Sequence, residues 1–141
     1  MSGPTLLAFA GSTRADSLNG RLLRLAAQAC EAAGGTVTLL PGSALAIPLY
    51  DGDSERDHGL PEAAKALKRQ IAAHDGLLIA SPEYNGSLTP ALKNALDWAS
   101  RREGDEPGLA AYRAKTAAII AASHGRLGGA RSLMALRQVL A

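Results

Sequence analysis

Four short runs, Thr5 to Ala10, Thr36 to Leu40, Gly76 to Ala80 and Thr116 to Ala121, read as continuously apolar rather than alternating strands. Such strands bury both faces, so helices must cover both sides of the sheet they build. The intervening segments carry the helical period. Leu18, Leu22, Leu25 and Ala29 fall on one helical face, and Ala63, Leu67 and Ile71 recur at every fourth position. Gly34-Gly35 ends the first helix; others begin near Leu60-Pro61, near Pro90 and after Gly128-Gly129, the last with Leu133, Leu136 and Leu140 facing inward. A proline in a first helical turn gives up no hydrogen bond, which suits Pro61 and Pro90 as starts. Strands alternating with helices form βαβ units, so the predicted fold is α/β: a doubly wound parallel sheet in the order 2-1-3-4-(5).

A chain of 141 residues holds one core, and the whole of 1–141 is expected to be a single domain. The net charge of +2, with one Trp, three Tyr and one Phe, supplies neither the basic field nor the stacking surface of a nucleic-acid binder. Cys30 is the only cysteine, which excludes an intramolecular disulfide and a cysteine-rich metal site and fits a reducing compartment. The start Met1-Ser2-Gly3-Pro4 has no basic region, and the apolar run Leu6 to Ala10 is too short for a signal peptide or a membrane span. The expectation is a cytoplasmic protein that does not enter the membrane. Asn85-Gly86-Ser87 matches a glycosylation sequon by chance on that view.

Polar, glycine-containing turns follow three of the strands, at the carboxyl edge where open α/β sheets bind ligands. The first, Gly11 to Asn19, offers the hydroxyls of Ser12 and Ser17, the Arg14 guanidinium and the Asn19 amide around a helix start. Free backbone N–H groups and the helix dipole favour a phosphate there, and Arg14 can add a forked contact. The same residues also suit a plainer role, with Ser17 as the N-cap and Arg14 solvated. Neither a Gly-x-Gly-x-x-Gly fingerprint nor a Gly-Lys-Ser/Thr loop is present. The second turn, Ser81-Pro82-Glu83-Tyr84-Asn85-Gly86-Ser87, is suited to a flat aromatic ring. Its alternative is a simple connection in which Pro82 and Gly86 punctuate and Tyr84 covers a core edge. With strands one and three as neighbours, both turns meet at the topological switch point. A phosphate at one end and a ring at the other describes flavin mononucleotide.

The third turn, Ser123-His124-Gly125-Arg126-Leu127-Gly128-Gly129, lies on the same edge and lets backbone donors approach the pyrimidine side of a flavin. Otherwise its glycines serve only as a flexible lead into a helix. His124 is a lone loop histidine and is read as a bystander. His58 and His74 have no partners at metal spacing, and no metal is assigned. The acidic run Asp51, Asp53, Glu55, Asp57 lacks the calcium-loop pattern and is expected to be a solvated loop. Cys30 reads as a packing residue.

With these turns in place the chain resembles the NADPH-dependent FMN reductase family of flavodoxin-like oxidoreductases, most closely its quinone and chromate reductase branch. The resemblance is carried by Gly11-Ser12-Thr13-Arg14 through Ser17 and Asn19, by Ile47-Pro48-Leu49-Tyr50-Asp51, by Pro82-Glu83-Tyr84-Asn85 through Asp97-Trp98, and by Gly128-Gly129-Ala130-Arg131. It implies non-covalent FMN, NADPH or NADH as hydride donor, and quinones, chromate or free flavin as acceptors. It further implies that Gly11, Ser12, Arg14, Ser17 and Asn19 hold the phosphate and that Pro82, Glu83, Tyr84 and Asn85 line the ring. Ser123 and Gly125 would approach its far side, and no protein nucleophile is needed. Arg101, Arg102 and Arg126 are the candidates for reading a nicotinamide 2′-phosphate. A homodimer or homotetramer is implied, built partly through the Pro90 helix, where Trp98 is either a contact residue with Leu96 or core. The family continues into a fifth strand and closing helix, whereas this chain stops at Ala141. The expectation is therefore a domain truncated relative to the family, with the fourth strand as an edge bearing an uncovered face. Two other functions compete: a flavodoxin-type electron carrier, which the mild basicity disfavours, and a flavin-poor interaction module.

Overall fold

The computed structural model describes residues 3–141; Met1 and Ser2, counted in the expected 1–141 domain, lie outside the described residues. The strands are β1 (Thr5–Ala10), β2 (Thr36–Leu39), β3 (Gly76–Ala80) and β4 (Thr116–Ile120). The α-helices are α1 (Leu18–Ala32), α2 (Gly52–His58), α3 (Glu62–Ala73), α4 (Pro90–Ala99) and α5 (Ala130–Leu140). All strand pairs are parallel, in the order β2-β1-β3-β4, as the apolar runs predict. Ala10 pairs with Ala80 and Ala80 with Ile120, so β1, β3 and β4 end level and their following turns emerge side by side.

The larger core layer packs Leu7, Phe9, Leu77 and Ile79 of the sheet against α3, α4 and α5, with Trp98 and Leu136 at its centre. On the opposite face Ala8, Leu78 and Ala80 meet Leu23 of α1. Only β3 is buried along its full length. Thr36 and Leu39 of β2 are exposed, which corrects the expectation that this strand is covered on both faces, whereas the exposure of Thr116, Ala117 and Ala118 of β4 is what was expected of that strand. As the sequence predicts for it, β4 is an edge, paired with β3 alone among the described residues.

Two helices present different faces from those the periodicity suggests. Helix α1 buries Asn19, Leu23 and Ala27, while Leu25 is 65% exposed. The Asn19 amide donates to the Ala122 carbonyl and accepts from the Ala122 N–H, each at 2.9 Å, and so satisfies its polar groups on the face that also buries Leu23 and Ala27. Helix α3 buries Ala64 and Lys68 with Leu67 and Ile71, leaving Ala63 exposed. Lys68 is tolerated inside because its Nζ meets Glu106 at 2.7 Å and the Arg101 carbonyl at 2.9 Å. The acidic run expected as a solvated loop is helix α2. Asp51 caps it, accepting from the Asp53 and Ser54 N–H groups at 2.8 and 3.0 Å, and a first turn rich in carboxylates suits the positive end of the dipole.

Trp98 and Leu96 are core, only 1% and 4% exposed, which settles the open role of Trp98 and removes both as surface contact residues. Trp98 Nε1 donates to the Pro48 carbonyl at 2.7 Å. Beside it, buried Asn94 accepts the Tyr50 N–H at 2.8 Å and donates to the carbonyls of Ile47 and Pro48. One helix face thereby straps the segment 47–50 to the core. Tyr50 then donates its hydroxyl to Glu55 at 2.8 Å, and Arg101 Nε reaches the same carboxylate at 2.8 Å while the guanidinium Cζ lies 5.4 Å from the Tyr50 ring centroid.

Replacing Asn94 by Ala leaves the Tyr50 N–H and the Ile47 carbonyl without their partner, the Pro48 carbonyl keeping Trp98 Nε1, and should cost about 2 to 4 kcal/mol in urea denaturation. A loss below about 1 kcal/mol would mean that water restores those bonds. The hydrogen bond from Arg101, followed by that from Tyr50, holds the Glu55 carboxyl below the usual range. Its stabilising contribution is present above the unfolded-state pKa and is lost as pH falls through the lower native one. The stability gap between wild type and Glu55→Gln should shrink steadily when urea midpoints are measured at falling pH, and a gap that stays constant would contradict this account.

Candidate functional site

The first turn is seated on the second. The Gly11 N–H donates to the Ala80 carbonyl at 2.8 Å, and Thr89 Oγ1 donates to the Gly11 carbonyl at 2.6 Å while capping α4. A Cβ on Gly11 would stand 2.9 Å from Leu92 Cβ, so this close approach demands glycine. Ser17 is the N-cap of α1, accepting from the Gly20 N–H at 3.3 Å. The first intrahelical bond runs from Arg21 N–H to the Ser17 carbonyl, so the N–H groups of Leu18 and Asn19 stand ahead of the helical ladder. Arg14 forms an exposed ion pair with Asp16 at 3.1 Å, and Ser12 Oγ accepts the Arg14 N–H at 3.3 Å. The Asn19 side chain is committed to Ala122, tying the first turn to the end of β4.

In the second turn, Tyr84 and Ser87 exchange both backbone hydrogen bonds, at 2.9 and 3.1 Å, around Asn85 at φ 51° and Gly86 at φ 80°. That is a two-residue hairpin of the kind Asn-Gly forms with least strain. Its Tyr84 is 52% exposed, so the alternative in which this ring covers a core edge is not what the fold does. Glu83 points back into the protein. Its side chain is only 10% exposed, and Oε1 accepts from Arg131 Nε at 2.6 Å.

In the third turn Ser123 Oγ accepts the Gly125 N–H at 3.0 Å, and Ser123, His124 and Gly125 are exposed. Gly129 caps α5 at φ 87°, where a Cβ would collide with Ala121 Cβ at 2.6 Å.

The three turns enclose an open cleft of about 440 Å³. Its lining draws Ser12, Arg14, Ser17 and Asn19 from the first turn and Pro82, Glu83 and Tyr84 from the second. Ser123 and His124 close the side nearest β4. Of the residues predicted from sequence, Gly11, Asn85 and Gly125 are outside this lining: Gly11 is the packed joint behind it and Asn85 the hairpin tip. Leu18 and Arg21 line the cleft without having been anticipated. Ser132 and Thr89 support it from behind; Thr89 was legible as a cap before Pro90, whereas nothing local marks Ser132.

Residues 4–141 match the family described as NADPH-dependent FMN reductase. The chain belongs to that family. It is 42% identical to a quinone reductase of Escherichia coli over 130 residues, covering 92% of this chain and 65% of that protein. It is also 42% identical to an NAD(P)H-dependent FMN reductase of Pseudomonas aeruginosa, covering 96% and 68% of the two. A solved structure of FerB, a flavoenzyme NAD(P)H:(acceptor) oxidoreductase from Paracoccus denitrificans, superposes with a TM-score of 0.81 at 34% identity, over 97% of this chain and 70% of that one. The fold is flavodoxin-like, as the sequence predicts. The chain spans 62% of a probable NADPH:quinone oxidoreductase of Oryza sativa, to which it is 42% identical, so it matches under two thirds of that relative's length.

Replacing Asn19 by Ala removes the side-chain bridge between the first turn and Ala122, just beyond β4. Leaving the Ala122 backbone groups without it should cost about 1 to 3 kcal/mol and speed exchange of the Ala122 amide. Unchanged exchange would show that the two turns are held together by other contacts.

Proposed function

We propose that this domain binds FMN without a covalent bond and serves as an NAD(P)H-dependent oxidoreductase, taking hydride from NADPH or NADH and reducing quinones or similar two-electron acceptors. The observation that carries the proposal is the convergence of three polar turns on one cleft at the β1/β3 switch point. The residues present suit the group. A helix start with N–H groups ahead of its ladder, two serine hydroxyls and Arg14 stand in the first turn for a phosphate. Pro82 and the exposed Tyr84 of the hydrogen-bonded hairpin line the same cleft and offer apolar and aromatic surface to a ring.

When bound, FMN supplies the redox chemistry, accepting two electrons from a nicotinamide and delivering them to an acceptor. The chain binds and orients. Ser12, Arg14 and Ser17 hold the phosphate with the N–H groups of Leu18 and Asn19, and the Asn19 side chain serves as the brace behind them. Pro82, Glu83 and Tyr84 shape the wall for the ring, with Asn85 setting the hairpin turn behind them, while Ser123 approaches from the side of β4 with its hydroxyl held by the Gly125 N–H. No side chain is assigned a covalent or proton-transfer role. Chromate and free flavin join quinones as acceptors on this reading, because an open cleft admits chemically unlike oxidants. A cytoplasmic location is supported by the lone Cys30, and no helix among the described residues is long and apolar enough to cross a membrane. Assembly into a homodimer or homotetramer belongs to the same proposal. Arg101 is already engaged with Glu55, which leaves Arg102 and Arg126 as the better candidates for a 2′-phosphate.

The test is to saturate the purified protein with FMN, desalt it, and follow its visible spectrum under anaerobic NADPH and then a quinone. Flavin that is retained, bleaches and recovers supports the enzyme; flavin that NADPH leaves coloured indicates a carrier; loss of flavin overturns the proposal. Arg14→Ala should weaken FMN binding by about 1 to 3 kcal/mol once its exchange of Asp16 for phosphate is removed. Unaltered affinity in a fluorescence-quenching titration would return Arg14 to the solvated surface.

A further inference from the structure

We propose that Arg131 is a positioning residue of this site, whose ion pair with Glu83 holds the Tyr84–Ser87 hairpin in the form that walls the cleft. The inference rests on the FMN-binding reading for its functional consequence, and on geometry alone for the clamp. Glu83 leads directly into the hairpin, yet its carboxylate turns inward and is only 10% exposed. Oε1 takes both Nε and Nη2 of Arg131, and Oε2 is buried with no hydrogen-bond partner. Arg131 is thus the one counter-charge this carboxylate has among the described residues. The guanidinium also underlies the hairpin tip, where a Cβ on Gly86 would lie 3.7 Å from Arg131 Cζ.

The next residue completes the grip. Ser132 Oγ donates to the Pro82 carbonyl at 2.8 Å and lies 2.6 Å from Ser81 Oγ, deep in the core. Two consecutive residues at the start of α5 therefore hold three consecutive residues at the root of the hairpin. The two contacts differ in kind. Ser132 holds backbone through neutral hydrogen bonds, whereas Arg131 neutralises a charge that the fold has already taken out of water. Removing Arg131 leaves an unpaired buried carboxylate, so the turn opens to let water reach it. Removing both charges relieves that conflict. This signature distinguishes a charge clamp from ordinary packing.

The test compares wild type, Arg131→Gln, Arg131→Lys and the double variant Glu83→Gln/Arg131→Gln. Amide hydrogen exchange is measured on cofactor-free protein, and FMN affinity by fluorescence quenching. Arg131→Gln should speed exchange at Tyr84 and Ser87 by about tenfold or more with β1 and β3 amides unchanged, and weaken FMN by a similar factor. Arg131→Lys should restore part of both effects, and the double variant most of both. Wild-type exchange in Arg131→Gln would overturn the proposal, as would a double variant that exchanges as fast as the single one. Should Arg131→Gln loosen the whole domain, recovery in the double variant supports the clamp and its absence refutes it. A wild-type protein that binds no FMN sinks the functional reading, while the exchange data still decide the clamp.

Discussion

The parallel pairing of β1 with β3 is the constraint on which the rest of the site depends. Because β2 pairs on the far side of β1, the chain leaves β1 and returns through two crossovers before laying β3 beside it. The register Ala10 to Ala80 then brings the turn after β1 level with the turn after β3. Continuing the ladder by one bond, from the Gly11 N–H to the Ala80 carbonyl, presses the first turn against α4 so closely that a side chain at position 11 has no room. A crevice at this point is a consequence of the winding, since the helices following neighbouring strands pass to opposite faces.

What turns the crevice into a defined cleft is a set of polar braces between segments distant in sequence. Asn19 joins the first turn to the end of β4, Thr89 joins it to α4, and Arg131 with Ser132 joins the second turn to α5. Each brace satisfies groups that burial would otherwise leave without partners, and that cost gives the turns a single arrangement. The hairpin Tyr84–Ser87 can therefore present an exposed aromatic ring on a root that is itself almost dry.

Much of this was legible in the chain before folding. Strand positions followed from apolar runs, helix starts from Pro90 and the glycine pairs, and the three turns from their polar composition at strand ends. The errors share a cause. Period alone placed Leu25 inward on α1, but the face that turns in carries Leu23, Ala27 and Asn19, whose bridge to Ala122 is a contact across more than a hundred residues. Composition alone made Asp51 to Asp57 a solvated loop, although the same carboxylates cap and stabilise a short helix. Apolar character alone promised two covered faces for β2, but Thr36 and Leu39 are exposed, because coverage depends on where helices lie relative to an edge. Trp98 was ambiguous in sequence between contact and core; its indole bond to the Pro48 carbonyl and its burial decide for core.

The sequence by itself determined the strand–helix alternation, the places where the chain turns, and the residue types delivered to the carboxyl edge, because these depend on local pattern, backbone preference and the range of a single turn. Only the tertiary structure decided which of those residues keep their polar atoms free toward the cleft and which spend them on the protein itself. Glu83 and Asn19 look like ligand contacts when read along the chain, yet the fold engages the Asn19 amide with backbone and one Glu83 oxygen with a distant guanidinium. The physical reason is that the cost of burying a polar group is set by partners that arrive from elsewhere in the chain, and their arrival is a property of the packed sheet and not of the segment.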